Sequence, residues 1–401
     1  MEILKLCVIF AIIIIVLRMK KPLSLAMGIG CICLVPLYRI ELSKAFVILF
    51  DTVTSWKTLQ LLLNIYLITF LQRMMDKRHH IELAQKSLCG LFNNRRVNAS
   101  AAPIFIGLLP SPGAIFIAGS MVESSVGDHL TSDEKTFVAS YFRHISEAFM
   151  PTYTGIILAC QLSGIAAGPF VVGMLPMVAV LIALGYFFYL RKIPKETGLP
   201  PSLDKKQDAK NLVWSLWSIF TIILLIIFLK FKVYTATGLI LFIYFLVNKF
   251  TFSEVKPFIS SAFEPKIMIN TVVVMLFKNL MTATGIVDML PSLFEKLPIP
   301  PYMAFCIIFF FGTLVAGSQA IIALCLPMAF AAIPGAGLPL MCFLMCATYA
   351  AMQISPTHLC LHLACEYFHT DYSRLVKTTL PVISVFYIIL LIYYNVWVTL
   401  V

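Results

Sequence analysis

Residues 143–160 read RHISEAFMPTYTGIILAC, and residues 348–365 read TYAAMQISPTHLCLHLAC. Each is an apolar run cut near its middle by a Pro-Thr pair, Pro151-Thr152 or Pro356-Thr357, and each ends on Leu-Ala-Cys. Proline removes a backbone donor and drives the residue before it out of the helical region. In hydrocarbon the freed N–H and C=O groups cost several kcal/mol each, so such a break survives where it lines a protein-enclosed cavity.

The surrounding chain supplies the hydrocarbon setting. Of 401 residues, 60% are hydrophobic and 12% charged, and the mean hydropathy is +0.93. A soluble domain of this size carries roughly twice that charged fraction. The composition indicates an all-α polytopic membrane protein and excludes a soluble enzyme, a disordered chain and a secreted disulfide scaffold. The net charge of +11 reflects 30 Lys and Arg against 19 Asp and Glu. In a membrane chain that excess reports orientation, not a nucleic-acid partner. The eleven cysteines are odd in number and form no metal-knuckle spacing, so they read as reduced packing residues, with no metal or cofactor expected. Arg18, Lys20 and Lys21 follow the first apolar run, no small-x-small cleavage site appears, and the run reads as a retained helix.

Spanning helices need about 20 apolar residues, fewer when flanking Lys or Arg snorkel. Clear spans fall at about 3–18, 23–38, 57–73, 169–190, 212–229, 234–250, 266–283 and 376–400. Four interrupted apolar regions lie between them, at 98–125, 132–165, 300–333 and 338–368. Their interruptions are Pro110-Ser111-Pro112-Gly113, Met150-Pro151-Thr152, Gly317-Ser318-Gln319 and Ser355-Pro356-Thr357. The long polar linker, 191–211, sits near mid-chain and separates 1–190 from 212–401. Asn64 with Asn270 and Ala114 with Ala320 match at one nearly constant offset; Ile81 with Ile286, Ser87 with Ser292 and Leu88 with Leu293 keep it within a residue. Matching interruptions in matching order point to two transmembrane repeats joined by a cytoplasmic linker.

Topology follows from counting charge. If 98–125 and 300–333 are re-entrant hairpins while 132–165 and 338–368 are broken helices that cross, there are ten crossings, five per repeat, and the second repeat is inverted. One side then holds 21 Lys and Arg, the other 8, and Arg143 lies within a crossing. If both hairpins crossed, the split would be 15 to 14. The re-entrant arrangement alone gives a positive-inside bias, with both termini outside. Segments 78–95 and 285–297 are amphipathic and read either as interfacial arms beside the hairpins or as ordinary connecting loops.

The breaks and the charges beside them are the candidate site. Pro110, Ser111, Pro112 and Gly113 make a tight hairpin tip with a hydroxyl at its apex, and Ser318 and Gln319 occupy the equivalent tip. Thr152, Tyr153 and Thr357 stand at the breaks of the crossing helices. Proline-kinked spans are the plain alternative for any single break. Arg143, His144 and Glu147 precede Pro151, with Arg143 and Glu147 four apart on one helical face. Intramembrane charge faces a cavity or a partner, so this group reads as an anion and proton site or as a paired structural charge. His358, His362 and Glu366 follow Pro356 at i, i+4 and i+8. On a continuous helix they line one face, where they fit a proton path, structural hydrogen bonding or a divalent-metal site.

Three motifs carry a family likeness: Leu108-Leu109-Pro110-Ser111-Pro112-Gly113; Arg143-His144-Ile145-Ser146-Glu147 with Pro151, Tyr153, Gly155, Ile157, Leu158 and Ala159; and Ser355-Pro356-Thr357-His358-Leu359-Cys360 with Glu366-Tyr367-Phe368. Over nearly the whole chain the sequence resembles a prokaryotic integral-membrane family of unknown function in the ion-transporter superfamily. That superfamily also holds gluconate permeases and citrate and dicarboxylate transporters. The resemblance implies two inverted repeats, two re-entrant hairpins and two discontinuous helices enclosing the substrate, in a homodimer at the cell membrane. Its sodium-coupled members carry Ser-Asn-Thr at the tips and breaks. No such triplet stands here, so the coupling ion expected is a proton, with sodium the alternative.

These readings converge on a secondary transporter of a small organic anion, with the lipid bilayer, the substrate and the coupling proton as partners. Arg143, the tips and the breaks would bind substrate, while His144, Glu147, His358, His362 and Glu366 would couple it. No GxxxxGK[ST] motif appears, which argues against an ATP-driven pump. The alternatives are an intramembrane metal-dependent enzyme built on His358, His362 and Glu366, and a structural membrane protein without transport activity.

Overall fold

The computed structural model of the chain describes residues 2–19, 21–92, 94–108, 114–196, 204–294 and 298–400. Among these residues the protein is all-helical, as expected of a polytopic all-α membrane protein. The first half runs α1 (Glu2–Arg18), α2 (Leu23–Leu37), α3 (Leu42–Thr54), α4 (Trp56–Lys77), α5 (His80–Leu91), α6 (Arg95–Ile106), α7 (Ala114–Val126), α8 (Ser132–Phe149), α9 (Thr154–Ser163) and α10 (Ala167–Phe188). The second runs α11 (Lys205–Ile227), α12 (Val233–Val247), α13 (Phe252–Ser261), α14 (Pro265–Ala283), α15 (Ile286–Phe294), α16 (Pro301–Ala316), α17 (Ser318–Ala332), α18 (Gly337–Met352), α19 (Leu359–Tyr367) and α20 (Tyr372–Leu400).

Two elements run against expectation. α3 and α13 occupy stretches where the apolar-run reading placed nothing, because 13 and 10 residues are too few to span. α3 is amphipathic: Leu42, Phe46, Val47 and Phe50 are exposed, whereas Thr52 is fully buried. It meets α4 at Ser55 with a bend of 42°. The Ser55 hydroxyl accepts from the Thr58 N–H at 3.3 Å and so starts the second helix of the pair. Among the described residues α10, α11, α14 and α20 are long and apolar enough to cross a bilayer, and the bent α3–α4 pair makes a fifth candidate. α1, α2 and α12 are apolar over 17, 15 and 15 residues.

α8 and α18 form the centre. Every residue of α8 from Lys135 to Ser146 is buried, as is every residue of α18 from Leu340 to Met352. A capping box starts α8: the Thr131 hydroxyl accepts from the Glu134 N–H, and the Glu134 carboxylate accepts from the Thr131 N–H at 3.0 Å. Around these helices the halves exchange partners. α8 packs on α20 and α18 on α10; α7 packs on α19 and α9 on α17; α2 packs on α14 and α4 on α12. The α5 arm lies chiefly against α11 of the other half, while α15 lies against α17.

The ion pair of Arg78 with Glu254 joins the halves outside the spanning helices. The Arg78 guanidinium donates to the Glu254 carboxylate at 2.9 and 3.4 Å and lies 3.8 Å over the Phe250 ring. Hydrogen bonds from Arg78, and then from Thr251, hold the Glu254 carboxyl down to about 2. A lowered carboxyl pKa stabilises the fold above the usual value of 4.5, and that stabilisation disappears as pH falls from there towards about 2. The melting temperature of the unmodified protein should therefore drop relative to Glu254→Gln across that interval. Parallel melting curves would show that the pair adds nothing to stability.

Candidate substrate site

The last two turns of α8 carry Arg143, His144 and Glu147, and the helix stops because Met150, ahead of Pro151, is extended (φ −74°, ψ 126°). The break is bolted to the end of α6. The Tyr153 hydroxyl donates to the Gly107 carbonyl, and the Ser146 hydroxyl to the Ile104 carbonyl at 2.7 Å. Gly107 has ordinary helical angles, yet only glycine fits there: a Cβ would lie 2.0 Å from the Arg143 carbonyl oxygen.

The second break is held in a similar way. The Ser355 hydroxyl donates to the Thr313 carbonyl at 3.2 Å, and Tyr372 donates to the Ile354 carbonyl at 2.6 Å. α16 ends at Gly317, whose φ of +85° is open to glycine at little cost. A Cβ at Gly317 would stand 3.5 Å from the Thr357 hydroxyl, so the turn between α16 and α17 touches the break.

Between these parts lies a cavity of about 380 Å³. Arg143, Glu147 and Tyr153 line it from the first break, Ser318 and Gln319 from the start of α17, His358 and Cys360 from the second break, and Thr348 and Tyr349 from α18. Thr154 and Gly155, Ser318 and Gln319, and Cys360 lie in the first turns of α9, α17 and α19, so three helix N-termini border the cavity. Unpaired N–H groups and the helix dipole favour negative charge there. The Arg143 guanidinium reaches the Cys360 sulfur at 3.7 Å. Behind it the Nε2 atoms of His144 and His358 are 2.9 Å apart, with the rings nearly perpendicular at 79°. His144 Nε2 is 4.0 Å from the Glu147 carboxylate. A second cavity of about 870 Å³ shares the Ile156 wall and is bordered by Pro151, Lys57, Lys230 and Lys232.

Of the residues expected from sequence, the structure brings Arg143, Glu147, Tyr153, Ser318, Gln319 and His358 to the cavity, with His144 bonded to His358 behind it. Thr152 has a buried hydroxyl without a hydrogen-bond partner but does not line the cavity. Thr357 is exposed and bonded to Ser355 at 2.8 Å. Pro110, Ser111, Pro112 and Gly113 lie outside the described residues. The expected face of His358, His362 and Glu366 does not form. His358 is the N-cap of α19 with extended angles (φ −88°, ψ 104°), so helical spacing begins only after it. His362 and Glu366 are exposed and away from the cavity. His362 stacks on Tyr372 at 5.0 Å and bonds the Pro356 carbonyl at 2.9 Å. A metal-dependent centre on those three residues is thereby corrected. Cys360, which the sequence presents as a motif residue and one of eleven packing cysteines, also lines the cavity; the signal for that role is its place two residues after a histidine at a proline break.

The fold is similar to that of a solved bacterial protein. The crystal structure of the Alcanivorax borkumensis YdaH transporter, described as having an unusual topology, matches with a TM-score of 0.59 at 11% identity. The match covers 95% of this chain and 99% of that one. Among curated proteins nothing matches. A family model described as "Protein of unknown function (DUF401)" matches residues 3–397, and the chain belongs to that family.

Proposed function

We propose that this protein is a secondary active transporter of a small organic anion, a carboxylate in chemical class, driven by protons. The observation that carries the reading is the convergence of Arg143 and three helix N-termini on one cavity between the halves. Each N-terminus offers an anion roughly 0.3–1 kcal/mol, and more where partly buried. The similarity in fold to a protein described as a transporter supports the class. The larger cavity bordered by Lys57, Lys230 and Lys232 supplies a cationic approach.

In this reading residues 1–190 and 212–401 are inverted repeats and α6–α7 and α16–α17 re-entrant hairpins. The broken pairs α8–α9 and α18–α19 hold the substrate. Among the described residues, the run of ten α-helices in each half and the exchange of packing partners support the duplication. The protein works as a homodimer in a prokaryotic cell membrane, related to the gluconate and citrate carriers. Both termini face outward and 191–211 the cytoplasm, on the strength of the 21-to-8 basic bias. Single cysteines at Lys205 and Lys210 in a cysteine-free background should label only from the cytoplasmic side, and one at Thr399 only from outside. Labelling at Thr399 from the cytoplasm would overturn this topology.

Uptake of radiolabelled carboxylates into proteoliposomes tests the function. An inwardly directed proton gradient should drive accumulation of at least one anion, and a protonophore should collapse it. Equal uptake into liposomes with and without protein, across the whole panel, would remove the transport reading.

A further inference from the structure

His144 and His358 come from opposite halves of the chain and face each other through their Nε2 atoms at 2.9 Å. Cys360 joins them: one ligand atom from each of the three residues lies within 4.8 Å of the others. All three are held by the breaks themselves, His144 by buried α8 and His358 and Cys360 by the first turn of α19. We propose that this cluster is a binding site for a borderline-soft transition-metal ion, Zn²⁺ being the best match, and that the ion fastens the two broken helices together.

The donor set decides the class of ion. Two imidazole nitrogens and one thiolate suit zinc and its neighbours, while magnesium and calcium require oxygen ligands. Zinc bonds nitrogen at about 2.0–2.1 Å and sulfur at about 2.3 Å in tetrahedral geometry. Two such nitrogens sit about 3.3 Å apart, so the imidazoles need to part by roughly half an ångström from their present contact. Glu147, 4.0 Å from His144 Nε2 but outside the three-residue cluster, would have to swing towards the ion to supply a fourth ligand. On binding, the thiol proton leaves to solvent, the proton held between the two Nε2 atoms is transferred to the Nδ1 of its own ring, and both imidazoles then bind through their Nε2 lone pairs. The thiolate and the Glu147 carboxylate then offset the two charges of the ion, and the Arg143 guanidinium, 3.7 Å from the Cys360 sulfur, leaves one positive charge beside the site.

Binding by itself is a property of the purified protein and does not depend on transport. The lock does rest on the transport reading, because alternating access requires the halves to move relative to one another. Titration of the full-length protein in detergent with zinc alone should show one ion per chain. Cys360→Ser and His358→Gln should each weaken binding by at least about tenfold, while His129→Gln, at an exposed histidine ahead of α8, should bind as before. Unchanged zinc affinity in both Cys360→Ser and His358→Gln overturns the site. Cobalt provides a readout that needs no variant to fold: the unmodified protein loaded with Co²⁺ should show thiolate-to-metal charge-transfer absorption, and its absence overturns the site. Zinc should also arrest uptake in the unmodified protein, and removal of the ion with a chelator should restore it. Zinc binding without any anion uptake would remove the transport reading and leave the site standing. Full uptake with zinc bound would overturn the lock.

Discussion

Arg143→Ala should abolish accumulation of the transported anion while the protein still inserts and folds. The guanidinium lines the cavity beside Tyr153 and Cys360, and a hydrogen bond to a charged group is worth about 1.5–3 kcal/mol. Its loss should weaken binding by roughly ten- to a hundredfold, with Arg143→Lys intermediate because a single ammonium cannot reproduce the planar fork. Glu147→Gln should separate binding from coupling. It keeps the shape of the cavity and removes the carboxylate one turn from Arg143, so exchange of substrate should persist while concentration against a gradient fails. The sign follows from the chemistry. An anion that competes for Arg143 leaves Glu147 more ready to take a proton, so uptake should rise as the outside is acidified. Accumulation by Glu147→Gln at the unmodified level would make the pair structural and move coupling to His144 and His358.

The largest loss of stability should come from Gly107→Ala. The new methyl group would lie 2.0 Å from the Arg143 carbonyl oxygen, a backbone atom in a buried helix that cannot step aside. Overpacking of this kind costs about 1–3 kcal/mol and more where backbone must shift. The same substitution at Gly155, on the cavity wall, would meet only the end of the Ile322 side chain at 3.6 Å. Melting curves in detergent should therefore show Gly107→Ala well below the unmodified protein and Gly155→Ala close to it. Equal melting temperatures for the two variants would mean that α6 does not bear on the break as described.

Long apolar runs and prolines are local signals, and they reveal most of the architecture. α10, α14 and α20 begin and end within a few residues of the stretches expected from hydropathy. α3 and α13 escape such a reading because their apolar face is a stripe rather than a run. Arg143 and Glu147 are legible because charge is conspicuous in an apolar segment. The contact between His144 and His358 is not, since 214 residues separate them and only the exchange of packing partners brings the two breaks together. His362 and Glu366 mislead for a different reason: their spacing assumes that the helix already runs at His358, which in fact caps it.

The exchange of partners also sets a timetable for biosynthesis. α9 meets α17, α7 meets α19, and His144 meets His358, each joining an early element to one made some 150 residues or more later. At about 5–20 residues per second, translation leaves a gap of roughly 10–40 s before those partners emerge. Throughout that interval the first half sits in the bilayer with Arg143, His144 and the opened backbone at Pro151 lacking the second-half surface that will cover them. The nascent chain thus needs a protected berth at the insertion machinery, and its vulnerability to membrane proteases is greatest before α17 to α19 arrive.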